Sequence, residues 1–290
     1  MNPLAIANQI LQGVLLGGLY ALFASGLSIS VGVMRFVNIA HGDLIVLVSF
    51  LLFTLTAYFH VPLLLAVAIS LPISFAGGYV LQRFLLQRVL GKGILQIVLV
   101  TFGISIIVQN FLQGTFGADT RRLSGSGFES ASIPLTNGIG VGYLPLTIFA
   151  AAVLLIFALD RLLYTTRVGA HIRAVSDDVD TANLVGLSSP RIYAIAMGVV
   201  GVTVCISAAF MSVFANFDPT SGPDRLLTAF EAVVLGGLGS LWGTLIGGII
   251  IGVAQLLGAQ LLGSEWQQLA GHLVFLAIFL IRPQGLFPRY

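Results

Sequence analysis

Charge is what this chain lacks most. Only 8% of its 290 residues are charged, 13 basic and 11 acidic, where soluble domains carry about 25%. So few charges cannot cover a water-soluble surface, which argues against soluble enzymes, disordered proteins and nucleic-acid-binding domains. The formal net charge of +2 is too small to favour a polyanion, so no nucleic acid is expected as a partner. Cys205 is the single cysteine; neither an internal disulfide nor a multi-cysteine metal site can form. No basic residue precedes Arg35, so the first apolar run reads as a retained span, not a secretory signal. What is plentiful is apolar: 57% hydrophobic residues, a mean hydropathy of +1.03 and 34 glycines. That is the composition of closely packed helices surrounded by membrane lipid.

The reading is an all-α polytopic membrane protein in which residues 1–290 form one transmembrane domain. Crossing a core of ~30 Å takes about 20 apolar residues. Such runs lie near 9–33, 37–59, 62–86, 94–116, 143–165, 191–216, 239–262 and 266–282, which gives about eight spans. Leu226 to Leu235 is too short to cross alone and reads as a re-entrant or broken half-helix, turning at Gly236-Gly237-Leu238-Gly239. Arg83, Arg88 and Lys92, then Arg167, Arg173 and Arg191, then Arg282 and Arg289, mark the cytoplasmic side. The 117–142 connection, with Asp119, Arg121, Arg122 and Glu129, alternates to the outside. Parity then requires 226–262 to enter and return, and puts the N-terminus outside.

Polar residues interrupt the apolar pattern at two places. Arg35, Asn38, His41 and Asp43 fall within nine residues. Ionisable groups in a bilayer need protein or water beside them. A helix through this stretch puts Asn38, His41 and, one position off, Arg35 on one stripe. It reads either as a discontinuous helix along a substrate path or as a cytoplasmic turn whose polar groups cap helix ends. His41 has no second histidine or cysteine nearby and is a poor metal ligand. The second place is Glu231, the one carboxylate in 226–235. It either meets a solute, or lies near the outer interface, or is neutral and bonded to a neighbouring helix. Gln109 and Asn110 in the fourth span are further path candidates. Gly239, Gly243 and Gly247, followed by Gly248 and Gly252, form a ladder that lets a helix of this chain or of a second subunit approach closely. Gly13 and Gly17 repeat it weakly.

The loop between 167 and 190 holds Ser176-Asp177-Asp178-Val179-Asp180 and then Ala182, Leu184 and Gly186. Ser176 or Asp177 reads as the cap of a short helix over about 177–186, with acidic residues at its positive end and Gly186 as its stop. Ser189-Pro190 reads as the cap and first-turn proline of the next span. The short helix is either a docking element for a cytoplasmic partner or a connector packed on its own bundle.

These motifs together resemble a known family. Asn38-Ile39-Ala40-His41-Gly42 resembles the N-x-A-H-G signature of permeases from the branched-chain amino acid ABC importers. Asp180 to Gly186 resembles their E-A-A-x-x-x-G coupling loop, with Asp180-Thr181 replacing Glu-Ala. Ala232 to Ser240 resembles their A-V-V-L-G-G-x-G-S segment, and Arg282-Pro283-Gln284-Gly285-Leu286 their R-P-x-G-L ending. The resemblance spans about residues 10 to 287 and implies an ABC importer permease fold in the bacterial inner membrane. It also implies a second related permease subunit, in a hetero- or homodimer, two cytoplasmic ATPase subunits and a periplasmic solute-binding protein. Asp177, Asp178, Asp180, Ala182, Leu184 and Gly186 then belong to ATPase coupling. The chain has no G-x-x-x-x-G-K-[ST] phosphate loop, so it is read as a transport subunit, not an enzyme. It binds no cofactor on this reading, and partner subunits use the ATP. Relatives more often carry a small or apolar residue at Glu231. The family also handles urea, amides and small organic acids. A self-sufficient secondary transporter or channel is the alternative of a different class.

Overall fold

The computed structural model describes residues 3–124, 131–136 and 139–287; Glu129 and Arg289 lie outside them. The chain runs through α1 (Pro3–Met34), α2 (His41–Phe53), α3 (Leu63–Phe84), α4 (Ile94–Phe116), β1 (Ser132–Thr136), β2 (Ile139–Gly142) and α5 (Tyr143–Thr165). It continues through α6 (Arg167–Asp177), α7 (Val179–Leu184), α8 (Ser189–Phe214), α9 (Gly222–Gly236), α10 (Leu241–Leu262) and α11 (Gln267–Ile281). Among the described residues eight helices are long and apolar enough to cross a membrane, and α9 is the short extra one. The protein is therefore a multi-pass, all-α membrane protein of eight spans and one half-helix, and the span boundaries expected from the sequence hold to within a few residues. The 117–142 connection contributes a small antiparallel hairpin, Ser132 facing Gly142, which Gln12 ties to α1 by donating to the Gly140 carbonyl at 2.7 Å.

α1 is the hub. Its 32 residues carry no charge, and it packs against α5, α8, α9 and α10. Its contact with α10 is the most extensive between helices of the described residues, and glycine explains why. A Cβ on Gly17 would meet the backbone of Ile249, and one on Gly252 would meet the backbone of Gly13 and Gly17. The ladder on α10 is thus two seams and not one stripe. Gly248 and Gly252 face α1, whereas Gly243 and Gly247 face the backbone of α9 at Gly236 and Ala232. Gly239 is not on the helix: it lies in the preceding turn at φ +80° and rests on Gly32 of α1. The partners of the ladder are within the chain.

The ends of α9 show how a half-length helix is satisfied. Its last carbonyls have no intrahelical donors. The C-terminal segment supplies them, Leu286 N–H donating to Leu235 O at 2.8 Å and Phe287 N–H to Gly236 O at 3.2 Å. The Arg282–Leu286 motif is therefore a cap folded back onto α9.

Candidate functional site

α1 does not turn smoothly into α2. Met34 ends the helix, Arg35 takes a left-handed backbone (φ 56°), and residues 35–40 are not helical. They climb back along the bundle until His41 starts α2 beside Phe23, where its Nε2–H donates to the Phe23 carbonyl at 2.9 Å. Phe23 is eleven residues before the end of α1, a rise of ~16 Å; α2 therefore begins about a third of the way back along α1. α9 begins at the same level. A Cβ on Gly42 would meet the Gly222 carbonyl and the Leu226 N–H, and one on Gly222 would meet Asp43. Two helix N-termini thus touch backbone to backbone, a contact that only glycine at both positions permits.

The expected stripe of Arg35, Asn38 and His41 does not form, because the segment carrying the first two is not helical. Asn38 is buried and its Oδ1 accepts the Ala40 N–H at 3.1 Å, shaping the approach to α2. His41 is buried where Gly26 leaves room for its ring. Asp43 is buried too, and its Oδ1 accepts from Gln109 Nε2 of α4 at 2.9 Å. The Asn38 Nδ2, His41 Nδ1 and Asp43 Oδ2 atoms are buried without a protein partner. Asn38, His41, Asp43 and Gln109 are therefore brought together around the meeting of α2 with α9. Asn110 is not: it is exposed and donates to Ile106 O of its own helix at 2.8 Å.

Arg35 stays at the other end of this segment. With Phe36 and Val37 it lines a cavity of about 800 Å³, closed by Ile97 of α4, Phe230 of α9 and Gln284 of the C-terminal segment. Glu231 faces elsewhere. It is buried, and its Oε1 accepts from His272 Nδ1 of α11 at 2.5 Å. Nearby, Tyr20 donates to Gln255 at 2.5 Å. Since α11 is mostly exposed on its other faces, this pair is its main polar tie to α9. We expect His272→Ala to destabilise the protein by about 1 kcal/mol, the usual scale for polar ties between membrane helices, and Glu231→Gln by less. Thermal unfolding in detergent measures both; an unchanged midpoint for His272→Ala overturns the tie. Among the described residues no group of three or more His, Cys, Asp or Glu side chains is arranged to hold a metal.

At the end where α1 stops, the 167–190 connection is two helices rather than one over 177–186. Thr166 caps α6, its Oγ1 accepting the Gly169 N–H at 3.0 Å. Asp177 closes that helix, and Asp178, extended at φ −148°, breaks the chain and caps α7. Its Oδ1 accepts from the N–H groups of Asp180 and Thr181 at 3.0 and 3.1 Å. Neither Ser176 nor Asp177 is the cap. A carboxylate able to take both N–H groups outcompetes a hydroxyl two residues too early. The N-cap position of α8 is Ser188, which makes no side-chain capping bond, and not Ser189, whose hydroxyl goes to Asn183 Oδ1 at 2.6 Å. Ala182 is 4% exposed and packs inward, whereas Leu184 and Val185 are 87% and 73% exposed. Gly186 follows at φ +89°, and Asp180 is exposed.

The Thr181 hydroxyl, with the two N–H groups behind it, holds the Asp178 carboxyl below the usual aspartate range. A depressed pKa contributes stability that is complete above the ordinary value of about 4 and is lost as pH falls through the lower folded value. We expect amide protection of α7 in hydrogen exchange to stay level from neutral pH down to about 5 and to fall only below about 4. Asp178→Ala should lower it at every pH.

Sequence reasoning missed the role of His272, forty-one residues from Glu231, and those of Gly42 and Gly222. Two glycines in contact across 180 residues leave no local pattern, although Gly222 beside Pro223 does mark a helix start. Residues 9–282 match the family described as the branched-chain amino acid transport system permease component. Among curated relatives, the high-affinity branched-chain amino acid transport system permease protein BraD of Pseudomonas aeruginosa is 28% identical, over 97% of this chain and 95% of its own. LivH of Escherichia coli K12, described in the same words, is 27% identical with the same coverage. A solved structure, PsaBC from Streptococcus pneumoniae in complex with Fab, overlaps 96% of this chain and 92% of that one at 13% identity, with a TM-score of 0.45.

Proposed function

The chain belongs to the family of branched-chain amino acid transport permease components, and we propose that it is the translocation subunit of an ATP-driven importer in a bacterial inner membrane. Its cargo is a branched-chain or other hydrophobic amino acid delivered by a periplasmic binding protein. Residues 1–290 act as one permease domain and pair with a second, related permease. Two cytoplasmic ATPase subunits supply the ATP hydrolysis, and this chain binds no cofactor. The end carrying α6 and α7 faces the cytoplasm, as its basic residues favour.

The observation that carries this reading is the meeting of α2 and α9 inside the bundle, well back from the end of α1. Half-helix ends at that depth are where transporters hold solutes. The positive N-terminal ends of both helices suit a carboxylate, and the second oxygen of Asp43, without a protein partner, suits an ammonium group. An amino acid carries both. The path then runs from Asn38, His41, Asp43 and Gln109 down to the cavity beside Arg35. Glu231 holds α11 from the flank of this path, and Asn110 lies on the opposite surface of α4.

Reconstitution tests the proposal. With its sister permease, the ATPases and a leucine-loaded binding protein in proteoliposomes, the complex should accumulate leucine only when ATP is supplied. Gradient-driven uptake by this chain alone would instead make it a secondary transporter. Uptake of urea, an amide or a sugar in place of leucine would overturn the assigned cargo.

A further inference from the structure

Two hydrogen bonds join the stretch before α7 to the end of α1, and they run in opposite directions. The Arg35 guanidinium donates from Nη2 to the Ser176 carbonyl at 3.1 Å. The Ser176 hydroxyl donates to the Gly32 carbonyl at 2.9 Å. Ser176 stands two residues before Asp178, the cap of α7. On the other side, Gly32 rests on Gly239, in the turn between α9 and α10, and Arg35 begins the non-helical segment. Both sides reach the same cavity: Arg35, Phe36 and Val37 form one wall, and Val234 and Leu238 another. A movement of α7 therefore arrives at two walls of the cavity through one residue pair.

The backbone of Arg35 strengthens the case. Its φ of 56° is a conformation glycine adopts freely and arginine does not. Glycine is the usual residue at this place after a helix. Here a long cationic side chain occupies it, and that side chain makes the tie to Ser176.

We propose that Arg35 and Ser176 are positioning residues that transmit the movement of the docking helix α7 to the wall of the translocation cavity. This rests on the importer reading, with α7 as the ATPase contact. Arg35→Gly keeps the left-handed turn and deletes the side chain with its guanidinium; Ser176→Ala deletes only the hydroxyl. Reconstituted with partner subunits, the double variant should bind the ATPases with unchanged affinity and keep its ATP hydrolysis rate. Leucine taken up per ATP should fall at least about fivefold, the lower range of coupling between distant sites. Arg35→Lys, which keeps a cationic donor, should recover part of the loss. Wild-type uptake per ATP in the double variant overturns the link and leaves the importer reading standing. Loss of ATPase binding overturns it too, because the pair would then merely prop α7. A wild-type complex without ATP-driven uptake overturns the importer reading itself.

Discussion

Gly17→Leu should leave little folded protein to purify. At Gly17 the backbones of α1 and α10 run so close that a Cβ already overlaps the Ile249 backbone. Neither atom set belongs to a flexible side chain, so the only relief is to part the two helices. The same interlock repeats one turn on in each direction, through Gly13 against Val253 and Gly248 against Ala21. Parting at one point therefore loosens the whole seam. Inserting bulk into a packed core costs about 1–3 kcal/mol. Here Gly17→Ala belongs within that range and Gly17→Leu at or above its top. Gly103 of α4 supplies the contrast, because a Cβ there meets nothing within 4 Å. Gly103→Ala should be neutral or gain up to about 1 kcal/mol from helix propensity. Yield and thermal midpoint in detergent decide the matter. A Gly17→Leu protein melting with the wild type would sink the backbone-contact account.

The second large effect concerns α7. Leu184 at its end and Val185 just after it are among the most exposed aliphatic side chains of the described residues, yet they project at the end where basic residues gather and not among the membrane helices. Apolar groups turned to water mark a contact with another protein. Leu184→Asp should weaken ATPase binding by more than about tenfold, as loss of a central interface anchor does. The permease itself should keep its thermal midpoint, since substitutions on an exposed surface stay within about 0.5 kcal/mol. Ala182→Trp should do the reverse, unseating α7 from its own bundle and lowering the midpoint first. A binding titration of detergent-solubilised permease with purified ATPase separates the two. Wild-type affinity for Leu184→Asp would remove α7 from the interface.

Reading residues alone gave the spans because length and hydropathy carry that information directly: Ile94–Phe116 and Tyr143–Thr165 are as expected. The half-helix was legible for the same reason, as was the turn that glycines allow at 236–239. The path from Met34 to His41 was not. A left-handed backbone is usually announced by glycine, and here the residue is Arg35. The split between α6 and α7 was hidden because aspartate suits both the first turn of a helix and its cap, and three aspartates lie within four residues. Only geometry selects Asp178. Of the candidate path residues, Asp43 and Gln109 meet, although they are 66 residues apart, whereas Glu231 spends its carboxylate on His272. Hydrogen-bond partners between distant helices have no periodicity to read.

The helix α9 also has a consequence for how the protein is made. Its first turn carries Asp224 and Arg225, and each charge at bilayer depth opposes insertion by about 2.5–3.5 kcal/mol. The segment cannot enter lipid by its own hydrophobicity. It needs α1, α2 and α10 already in place as a protein-lined slot, and its last carbonyls are satisfied only once Leu286 and Phe287 fold back onto them. Insertion of α9 is thus expected to follow that of α10. A nascent chain halted before α10 should still expose residue 229, as Ala229→Cys, to a water-soluble thiol reagent, and the finished protein, where this position is buried, should shield it.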